Sequence, residues 1–576
     1  MIARPRSANG SARDALLGAA GLAVAVVFCC LAAGCAGSGQ LGAPYPHPDD
    51  QRHIPKPKES NINIAADAFE RQIADQIEQS FDLSRQLRRL FGRPKEAMNA
   101  DAFGEVPNSS WFTNRNAWRR LSPKEIARGP NKGEGPDTSS VWVVFRTKAE
   151  GITPGFHIQD SRGVRYVIKF EPTGYPELPT GAEVVSTKLF YAAGYNVPEN
   201  YVIYFRPQIL RLEDGVKFVD KRGRKRIMTK KDLEEILRGL HPLPDGRIRA
   251  LASKYIPGIP IGPFKYNGTR KDDPNDIVPH EHRRELRGLR VMAAWLNHFD
   301  TKANNTYDSY VTEADRSYVR HYLIDFGSTL GSGGKGPNTP QRGHENTVDP
   351  LEMLRSLVTF GLHVRAWEKL EGFRYNSIGL YESTLFHPQK YKFDFPNPAF
   401  ENLTDLDGYW GAKLVMSFTD EQLETAVAEA HYSDQEAADY LLQTLIERRD
   451  LIGRYWFSRV APLDRFEVTN SVRDGSVLHF RDLAVDGGVA DARENFYRVI
   501  VRRPGGKGIE PVILKNLTSL KLTTIEPDEL PPSGSVAQEV ELRTRRGSAG
   551  RWSEPVRVHI AYRPSRRSYE VTAVMR

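Results

Sequence analysis

Cysteine is almost absent from this chain. Three occur in 576 residues, Cys29, Cys30 and Cys35, all in one early stretch. A disulfide framework and a cysteine-based zinc site are therefore excluded for the body of the protein. Long apolar runs are equally scarce. The one that exists, from about residue 15 to residue 31, is too little for a polytopic membrane protein. The chain also lacks G-x-x-x-x-G-K-[ST], H-E-x-x-H, G-x-S-x-G and the calcium-loop pattern, which disfavours P-loop ATPases, zincins, α/β-hydrolases and calcium sensors. Gly331-x-Gly333-x-x-Gly336 has the form of a dinucleotide fingerprint, but Pro337, Pro340 and Gly343 follow it where an apolar helix is required. What the chain does have is a 40% hydrophobic and 26% charged composition, enough for several buried cores and incompatible with wholesale disorder.

The first residues read as an address. Arg4, Arg6 and Arg13 precede the apolar run, and Ala32-Ala33-Gly34-Cys35 closes it, the three parts of a secretory signal. The cysteine after Ala-Ala-Gly resembles a bacterial lipoprotein signal. That resemblance implies cleavage after residue 34, lipidation of Cys35 and a lipid-anchored place in the bacterial cell envelope. Ala36 after the cysteine resembles lipoproteins sorted to the outer membrane. The alternative is an uncleaved single-span anchor. Without residues 1–34, which hold three Arg and one Asp, the net charge falls from +8 to +6. So mild an excess is explained by a solvated surface, and no nucleic-acid binding is read from it. Lysine and arginine concentrate in 217–231, which reads as an exposed insertion.

Periodicity divides the rest. Residues 35–63, rich in Gly, Pro and Lys, read as a flexible tether, and 64–138 as a helical and loop extension, with Phe69, Ile73, Ile77, Leu83, Leu87 and Leu90 at helical spacing. Strands are expected at 139–147, 156–159, 164–170, 201–205 and 249–256, and a helix at 182–193 closed by Gly194. From about 281 the pattern is mostly helical, including 351–371 and two capping boxes, Thr419-x-x-Gln422 and Ser433-x-x-Glu436. After 463 short strands recur between turn residues, which predicts an all-β sandwich over 463–576. Trp552-Ser553-Glu554-Pro555 before a strand resembles fibronectin type III modules, which implies a surface for a protein partner.

The middle of the chain carries the chemistry. Residues 298–305 read His-Phe-Asp-Thr-Lys-Ala-Asn-Asn, or H-x-D-x-K-x-x-N, and Asp325-Phe326-Gly327 follows a strand-like Tyr-Leu-Ile. Upstream, Lys169 sits in the β-prone Tyr-Val-Ile-Lys-Phe and Glu183 opens the next helix. This order resembles the protein-kinase superfamily, closer to atypical bacterial HipA-like and CotH-like kinases than to eukaryotic signalling kinases. The resemblance spans about 139–460. It implies an α+β, two-lobed domain, with an N-lobe at 139–262 and a helical C-lobe at 263–462. It also implies ATP or another nucleotide triphosphate, Mg²⁺ and an unknown phosphoryl acceptor. By that resemblance Lys169 holds phosphates and Glu183 orients it. Asp300 serves the acceptor's proton, Lys302 neutralises the transferred group, Asn305 and Asp325 hold the metal, and His298 buttresses the loop. Gly151 and Gly155 fall in the phosphate-covering loop, which has no G-x-G-x-x-G. Phe299 stands where the family has arginine, no A-P-E follows, and 331–346 occupies the activation-segment position. Two functions remain open: a membrane-tethered exported phosphotransferase, or an inactive kinase-like envelope scaffold.

Overall fold

The computed structural model describes residues 47–60, 94–148, 155–219, 224–471, 475–503, 511–522 and 535–576. The signal segment, Cys35, the predicted helix at 64–91 and Gly151 lie outside the described residues. Among the described residues no helix is long and apolar enough to cross a membrane. The chain is a mixed α/β structure with several sheets.

The first sheet is built from β1 (Trp142–Thr147), β2 (Gly155–Gln159), β3 (Arg165–Phe170), β4 (Asn200–Phe205), β5 (Leu210–Leu212) and β8 (Ile248–Lys254), in the order β4-β8-β3-β2-β1-β5. The short β6 (Lys217–Val219) and β7 (Lys225–Ile227) form a hairpin of their own inside the basic insertion. Alternation does its usual work here. Trp142 and Val144, Phe156 and Ile158, and Ile168 and Phe170 bury on one face as a single cluster, and the opposite face of β3 keeps Lys169. The helix Leu178–Ala193 follows β3. It begins at the Leu-Pro pair, four residues before the predicted start, because Pro179 fits the first turn of a helix. It is buried nearly all round. Its Lys188 is nevertheless satisfied, donating to the carbonyl oxygens of Ala127 and Arg128 and pairing with Glu429.

The helices Arg284–Trp295, Asp405–Met416, Asp420–Ala428 and Gln435–Arg459 form the largest core with the Leu178–Ala193 helix. Gly288 and Gly411 allow the first two to approach closely. A Cβ at Gly411 would meet the Gly288 carbonyl oxygen at 2.8 Å. Thr419 caps its helix through a full capping box with Gln422, as expected. The other predicted box is displaced by one residue: Asp434, not Ser433, accepts from the Glu436 and Ala437 amides.

Three expectations are corrected. A three-stranded sheet, β9 (Ile259–Gly262), β10 (Thr306–Glu313) and β11 (Arg316–Leu323), interrupts the helical stretch after 281, and β9 pairs with β10, not with the first sheet. The boundary at 262 therefore cuts through a sheet whose other strands lie beyond it. Residues 47–60 are not a free tether. The Ile54 amide donates to Ser317 O and the Ser60 amide to Ile261 O, both at 2.9 Å, and Ile54 buries against Ile261 and Val319. The helix expected at 351–371 stops at Val358.

The last 110 or so residues form two antiparallel sheets. β12 (Leu463–Ser471), β13 (Gly475–Asp482) and β16 (Ser519–Lys521) make one. β14 (Asn495–Arg502), β15 (Val512–Lys515), β17 (Val536–Arg546), β18 (Val556–Arg563) and β19 (Ser568–Met575) make the other. Leu463, Leu478 and Phe480 of the first share one apolar cluster with Val499, Val540 and Val558 of the second.

Candidate active site

β3 and the Leu178–Ala193 helix bring Lys169 and Glu183 together. Lys169 Nζ donates to Glu183 Oε1 and Oε2 at 2.6 and 2.9 Å, and to Asp325 Oδ1 at 2.8 Å. The lysine and glutamate side chains are 13% and 3% exposed, whereas Asp325 remains 47% exposed. Burial opposes the charge on Lys169, and the two carboxylates outweigh it, so the ammonium is held above its ordinary value. Burial pushes the Glu183 carboxyl up, against the pull of Lys169. Lys169 beside it holds the Asp325 carboxyl down to about 2.

Asp325 has a left-handed backbone at φ 64°, a conformation that costs a non-glycine residue about 1 kcal/mol or more. Its neighbours hold it there. The Ile324 amide donates to Asn305 O at 3.0 Å. Phe326 is fully buried and stacks on Phe190 of the glutamate-bearing helix, with centroids 4.8 Å apart. A Cβ at Gly327 would meet Glu183 Oε2 at 3.3 Å, so a small residue suits that position.

The second half of the site follows the Arg284–Trp295 helix. Lys302 Nζ donates to Asp300 Oδ2 at 2.9 Å, and Asn305 Nδ2 donates to Asp300 O and Oδ2 at 2.7 and 3.2 Å. His298 lies beneath, buried edge-on to Phe326 and Phe190. Burial lowers its ring to about 4, so it is neutral at ordinary pH.

Lys169, Glu183, Asp300, Lys302 and Asp325 thus line one cleft, with Gly327, Ser328 and Gly334. Asn305 and His298 sit behind it through the contacts above. The cleft is about 90 Å³, well below the roughly 300–1,000 Å³ of ligand pockets. Gly155 does not line it. It lies across from Lys169 in the β2–β3 ladder, where a Cβ would run into the Ile168 carbonyl oxygen, so its lack of a side chain serves strand packing. Sequence reasoning missed Lys148, which does line the cleft and acts on the charges of Asp325 and Glu183. Its signal was weak: one lysine at the end of a strand, before the glycine-poor loop.

Sequence reasoning also missed Arg342. From the segment after Asp325-Phe326-Gly327, its guanidinium lies 4.0 Å above the Phe299 ring and pairs with Asp394 at 3.5 Å. The Asp394 amide in turn donates to Phe299 O at 3.0 Å. Phe299 therefore contacts that segment through Arg342.

The oxygens available for a metal are Asn305 Oδ1 and Asp325 Oδ2, because the amide nitrogen and Oδ1 are already engaged. Among the described residues no three His, Cys, Asp or Glu side chains cluster as a metal site. Two hard oxygens suit Mg²⁺, which is commonly held by one or two protein ligands plus substrate phosphates.

No protein-family model and no curated protein matches the chain. Among solved structures, two of the Golgi casein kinase are similar over 72% of this chain. One matches at 9% identity over 96% of its own length with a TM-score of 0.25. The other, with Mn and ADP bound, matches at 8% identity over 98% with a TM-score of 0.23. Those are weak structural neighbours.

Proposed function

We propose that the chain is a kinase-like phosphotransferase that moves a phosphoryl group from a nucleotide triphosphate to an acceptor hydroxyl. The observation that carries this reading is Lys169 Nζ held between Glu183 and Asp325, with Asp300 and Lys302 lining the same cleft and Asn305 behind it, donating to Asp300. Phosphoryl transfer asks mainly for positioning and charge neutralisation, and these residue types supply both. Lys169, fixed in direction by Glu183, takes the phosphates nearest the leaving group, and Lys148 adds a second cation. Asp300 accepts the acceptor's proton as its oxygen bonds to the γ-phosphorus and the bond to the nucleoside diphosphate breaks. Lys302 faces the transferred group. Mg²⁺ on Asn305 and Asp325 supplies charge neutralisation when bound. In this reading the first sheet and the helical core are the two lobes. The two C-terminal sheets are a β-sandwich that presents a protein-binding surface, and lipidated Cys35 tethers the whole to the bacterial envelope.

The small cleft favours a second reading, an inactive envelope scaffold in which the Lys169 cluster is a structural ion network. A thermal melt of the full chain in detergent, with and without Mg²⁺ and ATP, separates the two. At about 100 times its Kd the nucleotide adds roughly 2.7 kcal/mol, a rise of several degrees that Asp325→Ala abolishes. No rise at millimolar ATP removes the enzyme reading.

A further inference from the structure

A second cavity is far larger than the Lys169 cleft. About 1260 Å³ opens between the segments 340–370 and 380–401 and the helix Gln435–Arg459. Its wall is built on the residues either side of Asp300. Asn297 and Arg342 line it, and Arg342 stacks on Phe299. Asn397 also lines it and donates from Nδ2 to Thr301 O at 3.3 Å.

Its charges fall into two groups. Arg342, Arg355, Arg365 and Lys392 each pair with a carboxylate, from Asp394, Glu352, Glu345 and Asp349 respectively. Four other cations of the wall make no ion pair among the described residues: Arg290, Lys369, Lys390 and Arg448. Arg290 donates to carbonyl oxygens only, those of Pro388, Gln389 and Tyr391. Two further wall carboxylates, Glu382 and Glu401, stand beside these four, so the excess is two positive charges.

Arg448 is the telling member. It is 3% exposed. Its guanidinium lies 3.9 Å from the Phe386 ring centre and 4.7 Å from that of Tyr381, and its Nε has no hydrogen-bond partner. A buried guanidinium stays charged, and a buried charge is costly without a counter-charge. Aromatic faces compensate it in part. The planar fork of donors matches an oxyanion, which is the partner the cavity lacks.

We propose that this cavity is the acceptor site, and that it takes an anionic acceptor whose carboxylate or phosphate group is held by Arg448. The acceptor role rests on the phosphotransferase reading above; the anion site does not.

Calorimetric titration of the full chain in detergent with glucose 6-phosphate, glucuronate and glucose tests this. The expected result is binding of at least one charged sugar ten-fold or more tighter than glucose. The better of the two identifies phosphate or carboxylate as the recognised group. Arg448→Gln should weaken that binding at least ten-fold. Lys390→Glu, an exposed change at the rim that leaves the packed wall intact, should weaken it several-fold and serves if the first variant does not fold. Equal affinity for the three sugars, no binding at millimolar concentration, or affinity unchanged in Lys390→Glu overturns the anion site. Asp325→Ala should bind the charged sugar as the unaltered chain does while losing the nucleotide-dependent rise in melting temperature. If the unaltered chain shows no such rise yet binds the charged sugar, the acceptor role falls and the anion site stands.

Discussion

The two cavities differ in how their charges are balanced. In the 90 Å³ cleft cation is set against carboxylate: Lys169 between Glu183 and Asp325, and Lys302 on Asp300. In the 1260 Å³ cavity Arg448 lies against aromatic faces and Arg290 donates to carbonyl oxygens, and neither makes an ion pair among the described residues. Self-neutralised groups can remain together in water-poor surroundings before any ligand arrives. A buried cation without a counter-ion instead points to something that comes from outside. The cleft is thus arranged to exchange one set of partners for phosphates, and the cavity to gain a partner it does not have.

The comparison can be broken hardest at Asp300. Asp300→Asn keeps the size and one acceptor oxygen but removes the proton-accepting charge. Phosphotransfer should fall by about 10²–10⁴, while the nucleotide-dependent rise in melting temperature stays. A variant as active as the parent would show that the carboxylate does nothing for the reaction. Next in size is the ion network itself. Lys169→Met leaves Glu183 buried with its partner gone, which costs about 3 kcal/mol or more. The double variant Lys169→Met, Glu183→Gln should recover much of that loss in a denaturant titration. If the two changes simply add, Lys169 and Glu183 are not coupled and the close contact at 2.6 Å is energetically empty.

A smaller effect separates packing from ligand contact at Gly155. Gly155→Ala drives a Cβ towards the Ile168 carbonyl oxygen, and overpacking of that kind costs about 1–3 kcal/mol. The loss should appear equally with and without nucleotide. A loss confined to the nucleotide-bound state would return Gly155 to the phosphate-binding role expected of it.

The site was more legible than the cavity for a physical reason. Lys169, Glu183, Asp300 and Asp325 are tied to fixed places on a strand, a helix and two loop turns, so their spacing along the chain survives as a pattern. Arg342 lies in an irregular segment and Arg448 on a long helix whose pattern marks it as one more helical residue, and both meet the wall through long-range packing that nothing local marks. The same distinction holds for the fold. The first sheet and the helical core were visible in period-two and helical spacing. β10 and β11 do not alternate cleanly, since Asp308 and Ser309, and Tyr318 and Val319, bury as adjacent pairs, and helical patterns on both sides outweigh them. Residues 47–60 were misread because a single apolar residue, Ile54, anchors an otherwise polar, proline-bearing strand of chain.

The finest test concerns pH. His298 is held near 4, against 6.5 for an ordinary imidazole, mainly because burial disfavours the charged ring. The unfolded chain therefore takes up its proton first as pH falls. The contribution of the neutral ring to stability is complete above about 6.5 and is lost between 6.5 and 4, by at most about 3 kcal/mol. Asp394 works in the opposite sense. Burial raises its carboxyl to about 6, so the folded chain protonates first and gains stability as pH falls through 6 towards 4. His157 and His282 are lowered like His298 and keep part of the acid loss in any single variant. Melting temperature measured from pH 7 to pH 4 should therefore fall less steeply in His298→Gln than in the parent, and more steeply in Asp394→Asn. Both groups flank Asp300, His298 beneath the cleft and Asp394 beside the cavity wall. Opposite changes of slope would show that the Asp300 loop is held between a group that resists protonation and one that favours it, and parallel slopes would show that neither burial governs the loop.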